Sequence, residues 1–173
     1  FHLFSAGERD WIILCLEYGP RDQAVEWANS IMEAYPHRDG ILVTHAFLDI
    51  DGQPLDFDDR GRKWFNPHAC KMPGTKNDGK QLWDKLVSKH DFKFVFSGHV
   101  LGKGNGYSEA VNNRGNKVHL MLANFQMRSL GGEGYMRLLE FLPDGNTVLV
   151  KTYSPVLGRY LLDDEHQFEI ALD

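Results

Sequence analysis

The sequence is short of the features that mark several protein classes. It has 2 cysteines in 173 residues, too few for a disulfide framework and uninformative about redox compartment. No apolar run approaches the ~18 residues of a membrane-spanning helix. The 19 Lys and Arg are scattered, and the formal net charge is -5. Phosphate backbones are bound by clustered basic residues, so this balance argues against a nucleic-acid scaffold as partner. Internal repeats, low-complexity segments and composition-biased linkers are also missing. The length is that of one domain, and at this size roughly 70% of the chain surface is buried on folding. The first residue is Phe and the opening stretch has no basic leader before an apolar segment. It does not read as a signal peptide. Localisation is unreadable, and an extracytoplasmic site stays open should a signal precede Phe1.

What is present is alternation. FHLFSAGERDWIILCLEYG reads as strand, turn, strand, with the turn at Ala6-Gly7-Glu8. Trp11 to Leu16 is a nearly continuous apolar run, the pattern of a strand buried on both faces. Asp22 to Tyr35 repeats apolar residues at 25, 28, 32 and 35, which predicts a helix that Pro36 stops. Ile41 to Val43 predicts a second buried strand ending at Thr44-His45. Residues 46 to 76 carry no periodicity and exceed the ~12–15 residues of ordinary connections, which predicts a functional excursion loop. Asp78 to Lys89 predicts a helix with Leu82, Trp83, Leu86 and Val87 on one face. Phe92 to Phe96 predicts a third strand. This βαβαβ order implies largely parallel strands, with ligands gathered beyond their carboxyl ends. Glu17, His45 and His99 stand at those three ends. After Gly106, four strand candidates follow at Lys117 to Phe125, Tyr135 to Phe141, Thr147 to Tyr153 and Gln167 to Leu172. Pro143-Asp144-Gly145-Asn146 is a hairpin turn between two of them. This half predicts an antiparallel meander, and the fold class is α/β (α+β).

The glycine-rich stretch SGHVLGKGNG is not a P-loop. Three residues stand where four are needed between Gly98 and Gly102-Lys103, and Lys103 is followed by Gly104 rather than Ser or Thr. Ser97 lacks the glycines of a nucleophile elbow, since Val95 takes the first place. Cys70 lies two residues from His68, and sequence proximity is no triad geometry, so they read as unrelated loop residues. His2, His37, His90 and His166 sit at turns or helix ends and read as solvated; His119 reads as a packed or surface strand residue. His45 and His99 end strands of one inferred sheet. Neutral imidazole is the commonest metal ligand side chain. On the residues alone two readings stay open: metal ligands, or strand-end histidines hydrogen-bonded to loop backbone.

ILVTHAFLD followed by FKFVFSGHVLG, with a helix between, resembles the C-terminal half of a calcineurin-like metallophosphoesterase domain, most closely a bacterial branch. LEYGPRDQAVEWAN, VTHAFLDIDG, NDGKQLWDKLV, SGHVLG, ANFQ and TYSP follow in that order along nearly the whole chain. The resemblance implies an α/β/β/α sandwich of two sheets, of which residues 1–173 form a partial domain. It implies that His45 and His99 bind the same ion of a two-metal centre holding Mn, Fe or Zn. In such centres metals roughly 3.5–4 Å apart activate a bridging hydroxide against a phosphate ester. The family's N-terminal Asp-x-His, Gly-Asp and Gly-Asn-His-Asp motifs, which hold most ligands, are absent here. Asp164-Glu165-His166 has the Asp-x-His spelling but precedes a terminal strand and reads as coincidence. Leu101 stands where the Gly-His motif usually supplies a second histidine. Glu17, Asp49 and His68 are the further candidate ligands; no residue is assigned a catalytic role.

The expectation is therefore a chain that carries part of a phosphoesterase and is alone weakly active or inactive. Its partners would be a phosphate-ester substrate and either a second copy or the missing N-terminal half. The other expectation is a non-catalytic module binding a glycan or peptide on an aromatic rim of Tyr107, Phe65, Trp64 and the 126–134 loop.

Overall fold

The computed structural model describes residues 1–59, 65–71 and 73–172. The opening hairpin forms as expected: β1 (His2–Ala6) pairs antiparallel with β2 (Arg9–Cys15) around Gly7-Glu8. Helix α1 (Asp22–Ala34) buries Val25, Ala28 and Met32. β3 (Asp39–Val43), helix α2 (Gly79–Lys85) and β4 (Phe92–Ser97) complete the βαβαβ run. β2, β3 and β4 are parallel neighbours in that order.

Two later strands extend this sheet, against expectation. β6 (Lys117–Ala123) is no part of a meander: it lies parallel to β4, and β5 (Asn105–Val111) pairs antiparallel with β6 at the edge. The result is a six-stranded sheet in the order β1-β2-β3-β4-β6-β5. The reason is burial. Val118 to Leu122 are buried without interruption, as a strand covered on both faces requires. The meander is confined to β7 (Met136–Phe141), β8 (Thr147–Ser154) and β10 (Phe168–Ala171), with β9 (Arg159–Leu161), also unexpected, pairing β8. The Pro143–Asn146 turn forms as expected: the Asp144 carboxylate accepts from the backbone of Asn146 and Thr147.

Side-chain parity along the parallel strands builds two cores. Ile12, Leu14, Leu42, Leu120 and Leu122 point to one face and meet Val25, Ala28, Met32, Leu82 and Leu86 of the helical layer. Trp11, Ile41, Phe94 and Met121 point to the other and meet Val148, Val150 and Ile170 of the second sheet. The chain is thus a mixed α/β fold in which one sheet is sandwiched between helices and a second sheet. No described helix is long and apolar enough to cross a membrane.

The long excursion is built into the core. Ala46, Phe47, Leu48 and Leu55 are fully buried. Asp78, itself buried, fastens the excursion to the helix it caps: Oδ1 accepts from Gln81 N, and Oδ2 accepts from Phe57 N and Asn66 Nδ2. Gln81 Oε1 accepts from Asp78 N in return. This capping box satisfies two of the donors that a helix start leaves open. The helix is shorter than the expected Asp78–Lys89 span, its last turn tightening to a 3-10 turn over Val87–Lys89.

Candidate functional site

The parallel strands β3 and β4 end side by side. Thr44 N donates to Phe96 O, and Thr44 Oγ1 donates to the carbonyl of Glu17 beyond β2. The chain then places His45 on one strand end and His99 on the next. Gly98 N donates to His45 O, and Val100 N donates to Gly98 O at 2.7 Å. That last bond spans one residue, so the backbone folds tightly around His99, whose φ is +63°. A left-handed backbone costs a residue with a Cβ roughly 1 kcal/mol or more. Strain of this kind is held at functional sites by surrounding structure.

The turn aims the His99 ring at His45. Nδ1 of His99 and Nε2 of His45 are 3.0 Å apart. That is hydrogen-bonding distance, with the donor set by which tautomer each ring adopts. Among the described residues neither ring bonds to loop backbone. Tyr18 walls the pair, its ring centroid 5.4 Å from His45 and 4.9 Å from His99. Phe65 meets His99 edge-on at 5.7 Å. The Tyr18 hydroxyl is turned away to Cys70 Sγ, 3.1 Å off. Burial, then that contact, raises the Tyr18 pKa, so the phenol stays protonated. Nothing in the spacing of Tyr18 and Cys70 announces this contact across 52 positions.

The three further candidates are engaged elsewhere. Glu17 accepts from its own neighbour Arg21, at 2.7 Å from Nε and 3.2 Å from Nη2, and these bonds lower its pKa. His68 Nε2 bonds to Gln81 Oε1 at 2.7 Å, not to Cys70. Asp49 Oδ1 accepts from Ile50 N. Among the described residues no group of three or more His, Cys, Asp or Glu could hold a metal ion. Glu17→Gln is accordingly expected to leave Mn²⁺ affinity within about twofold, because its carboxylate is committed to an exposed ion pair; a tenfold loss by calorimetry would mean the carboxylate swings to the histidines.

Two histidines read as solvated are buried instead. His90 bonds to Asn29 Oδ1 at 2.8 Å, and His166 lies against Phe125 and Thr152. Each ends a turn, but the turn folds inward and the ring is buried. His119 is packed as expected, its ring stacked on Tyr107. Of the proposed aromatic rim, Phe65 meets His99 while Tyr107 meets His119 and Phe168; Trp64 lies outside the described residues. Ser97, buried, accepts from Leu48 N and donates to Met121 O, a structural role.

Burial depresses the pKa of His90, His99 and His166, and for His99 the neighbouring His45 adds to the effect. A depressed histidine charges later in the folded chain than in the unfolded one. The unfolded chain then binds more protons, and stability falls as pH drops below about 6.5. The urea midpoint is expected to decline between about pH 7.5 and pH 5.5, before the carboxylates titrate. A flat profile over that window would show that the three imidazoles ionise freely in the fold.

No family model matches the chain. It is 28% identical over 184 residues to the uncharacterized protein YvnB of Bacillus subtilis (strain 168), a match covering 100% of this chain and 13% of that protein. The chain therefore spans about one eighth of the length of this relative.

Proposed function

We propose that the chain is the C-terminal half of a calcineurin-like metallophosphoesterase domain, in which His45 and His99 supply two ligands to a divalent metal. The observation that carries this reading is the approach of His45 Nε2 to His99 Nδ1 at 3.0 Å, at the carboxyl ends of adjacent parallel strands. Two nitrogens at metal–nitrogen distances of about 2.1 Å and about a right angle lie about 3.0 Å apart, so the pair fits neighbouring ligand positions. His99 contributes a ring kept neutral by burial. A metal held there would supply Lewis acidity and an activated water near neutral pH. Tyr18 and Phe65 orient the imidazoles and shield one side of the pair from water.

Two imidazoles are fewer than the ligands such ions require. In this reading the remaining ligands come from chain outside these 173 residues. The outward side of β7 and β9, where Met136, Leu138 and Tyr160 stay exposed, is where that missing half or a second copy would be accommodated. The test is a colorimetric phosphatase assay with excess Mn²⁺. The isolated chain is expected to release phosphate from p-nitrophenyl phosphate no faster than Mn²⁺ in buffer. Robust turnover abolished by His45→Ala would overturn the incomplete centre. In a longer protein that supplies Asp-x-His, Gly-Asp and Gly-Asn-His-Asp segments, turnover lost on His45→Ala is expected; turnover indifferent to both histidines would end the phosphoesterase reading.

A further inference from the structure

At the amino ends of β3 and β4, the opposite end of the sheet from His45 and His99, lies a cleft of about 550 Å³. That volume suits a small ligand. Arg38 and Asp91, which precede the two strands, line it.

One buried residue of this cleft has a hydrogen-bonding atom to spare. His90 lines the cleft and is 8% exposed. Its Nε2 lies 2.8 Å from Asn29 Oδ1. The Asn29 amide is fixed in orientation, because its Nδ2 donates to the carbonyls of Val25 and Lys85 at 2.8 and 3.1 Å. Its oxygen can only accept, so Nε2 of His90 carries the ring proton. Burial, and then the nearby Arg114, lowers the His90 pKa. The ring is therefore neutral near pH 7, and Nδ1 is a bare lone pair. No described residue bonds to Nδ1. Nor is it sealed in: the enclosed side-chain atoms without a partner among the described residues are Asn105 Oδ1 and Arg137 Nε. Nδ1 thus keeps open surface, and the open space beside this ring is the cleft. An acceptor on so buried a residue calls for a donor. A metal ion fits poorly, because no group of three His, Cys, Asp or Glu gathers here among the described residues.

The charges around the cleft narrow the donor. Arg114 is paired with Asp91, whose other oxygen accepts from Asn116 Nδ2. Arg38 donates to the carbonyls of Phe4 and Trp11. Glu33 and Lys89 remain, both exposed and both without a side-chain hydrogen bond or ion pair among the described residues. They are opposite in sign, and each lies close enough to act on the charge of His90. An ammonium offers N–H donors to Nδ1 and Glu33 together, and a carboxylate answers Lys89. Met32 and Tyr35 give the cleft apolar surface.

We propose that this cleft binds a zwitterionic amine, a free α-amino acid with an apolar side chain. Its ammonium donates to His90 Nδ1 and Glu33, its carboxylate pairs with Lys89, and its side chain lies on Met32 and Tyr35. The inference does not depend on the metal reading of His45 and His99.

Titration of the chain with L-leucine, followed by calorimetry and by NMR of nitrogen-15 in the histidine rings, tests it. His90 is expected to show the Nε2–H tautomer before leucine is added. Leucine is expected to bind saturably and to shift Nδ1 of His90, leaving the rings of His45 and His99 unmoved. The double variant Glu33→Gln, Lys89→Met removes two exposed charges without touching the core, and a loss of about tenfold is expected. Two analogues isolate the chemistry. The N,N,N-trimethyl betaine of leucine keeps both charges and has no N–H; leucinamide has no carboxylate and stands in for the amino terminus of a peptide. Each is expected to bind about tenfold more weakly than leucine, or worse. An Nδ1–H tautomer in the free chain, no saturable binding of leucine, a His90 Nδ1 signal that leucine does not move, full affinity in the double variant, or equal binding by either analogue would overturn the proposal.

Discussion

In a longer protein that supplies the remaining ligands, replacing His45 by alanine and His99 by asparagine together is expected to abolish saturable Mn²⁺ or Zn²⁺ binding while leaving the far-ultraviolet circular dichroism unchanged. The two substitutions are chosen for their backbones. His45 sits beyond a regular strand and tolerates alanine. His99 holds φ +63°, where asparagine is among the residues that accept a left-handed conformation. The fold is thereby kept while both imidazoles go. Loss of a residue that merely supports a ligand costs 10–100-fold in affinity, roughly, so loss of a ligand is expected to cost more than ~100-fold. The facing nitrogens lie 3.0 Å apart, and a metal between them requires the ring that donates to carry its N–H on its other nitrogen, with no net loss of a proton from neutral imidazoles. Binding is expected to weaken as pH falls and imidazole is protonated. Metal affinity equal in wild type and double variant would remove the histidine pair from any metal centre. Absence of metal binding by the longer protein would favour the module that binds a glycan or peptide without catalysis.

The histidine pair was legible because strand ends are legible. Apolar runs at Trp11–Leu16, Ile41–Val43 and Phe92–Phe96 give three strands, helical periodicity between them gives parallel pairing, and residues at the carboxyl ends must then be neighbours. Positions 45 and 99 follow from that. Their separation does not, because it depends on the left-handed turn at His99, and glycine at 98 and 102 announces flexibility without direction. The partners of Glu17, Asp49 and His68 were illegible because their side-chain bonds to Arg21, Ile50 N and Gln81 depend on loop geometry that apolar periodicity does not carry. The expected meander places β6 in the second sheet, whereas it pairs with β4, and its own sequence carries the reason. Val118–Leu122 is a continuous apolar run rather than an alternation, interrupted only by His119. β5 is not predicted by the sequence because Asn105-Gly106 reads as loop. The buried histidines at 90 and 166 show the limit of inferring exposure from turn position, since a turn's side chains follow the tertiary fold.

Gly79→Ala is expected to destabilise the chain by several kcal/mol, and here two physical arguments oppose each other in sign. Gly79 is the first residue of α2. By helix propensity alone, alanine for glycine should stabilise by about 0.5–1 kcal/mol. A Cβ at this position, however, would lie 2.0 Å from the carbonyl oxygen of Phe47 and 2.8 Å from Leu55 N. Those atoms are backbone, so no side-chain rotation relieves the clash. Either α2 retreats or the excursion does. The retreat strains the Leu55 N to Phe47 O bond and the Lys80 N to Leu55 O bond, at 2.8 and 2.9 Å. It also loosens the contacts that Asp78 makes with Phe57 and Asn66. Phe47 and Leu55 are fully buried, and overpacking a filled core costs typically 1–3 kcal/mol, occasionally more. Breaking backbone bonds adds about 1 kcal/mol each, so the clash outweighs the propensity gain. A urea titration decides the sign: a midpoint raised by Gly79→Ala would show that the excursion yields freely and is not anchored on α2. Phe47 lies two residues after His45, so the same displacement reaches the strand end that carries the imidazole. Gly79→Ala is therefore expected to weaken Mn²⁺ binding as well, though it stands 34 positions from His45 in sequence.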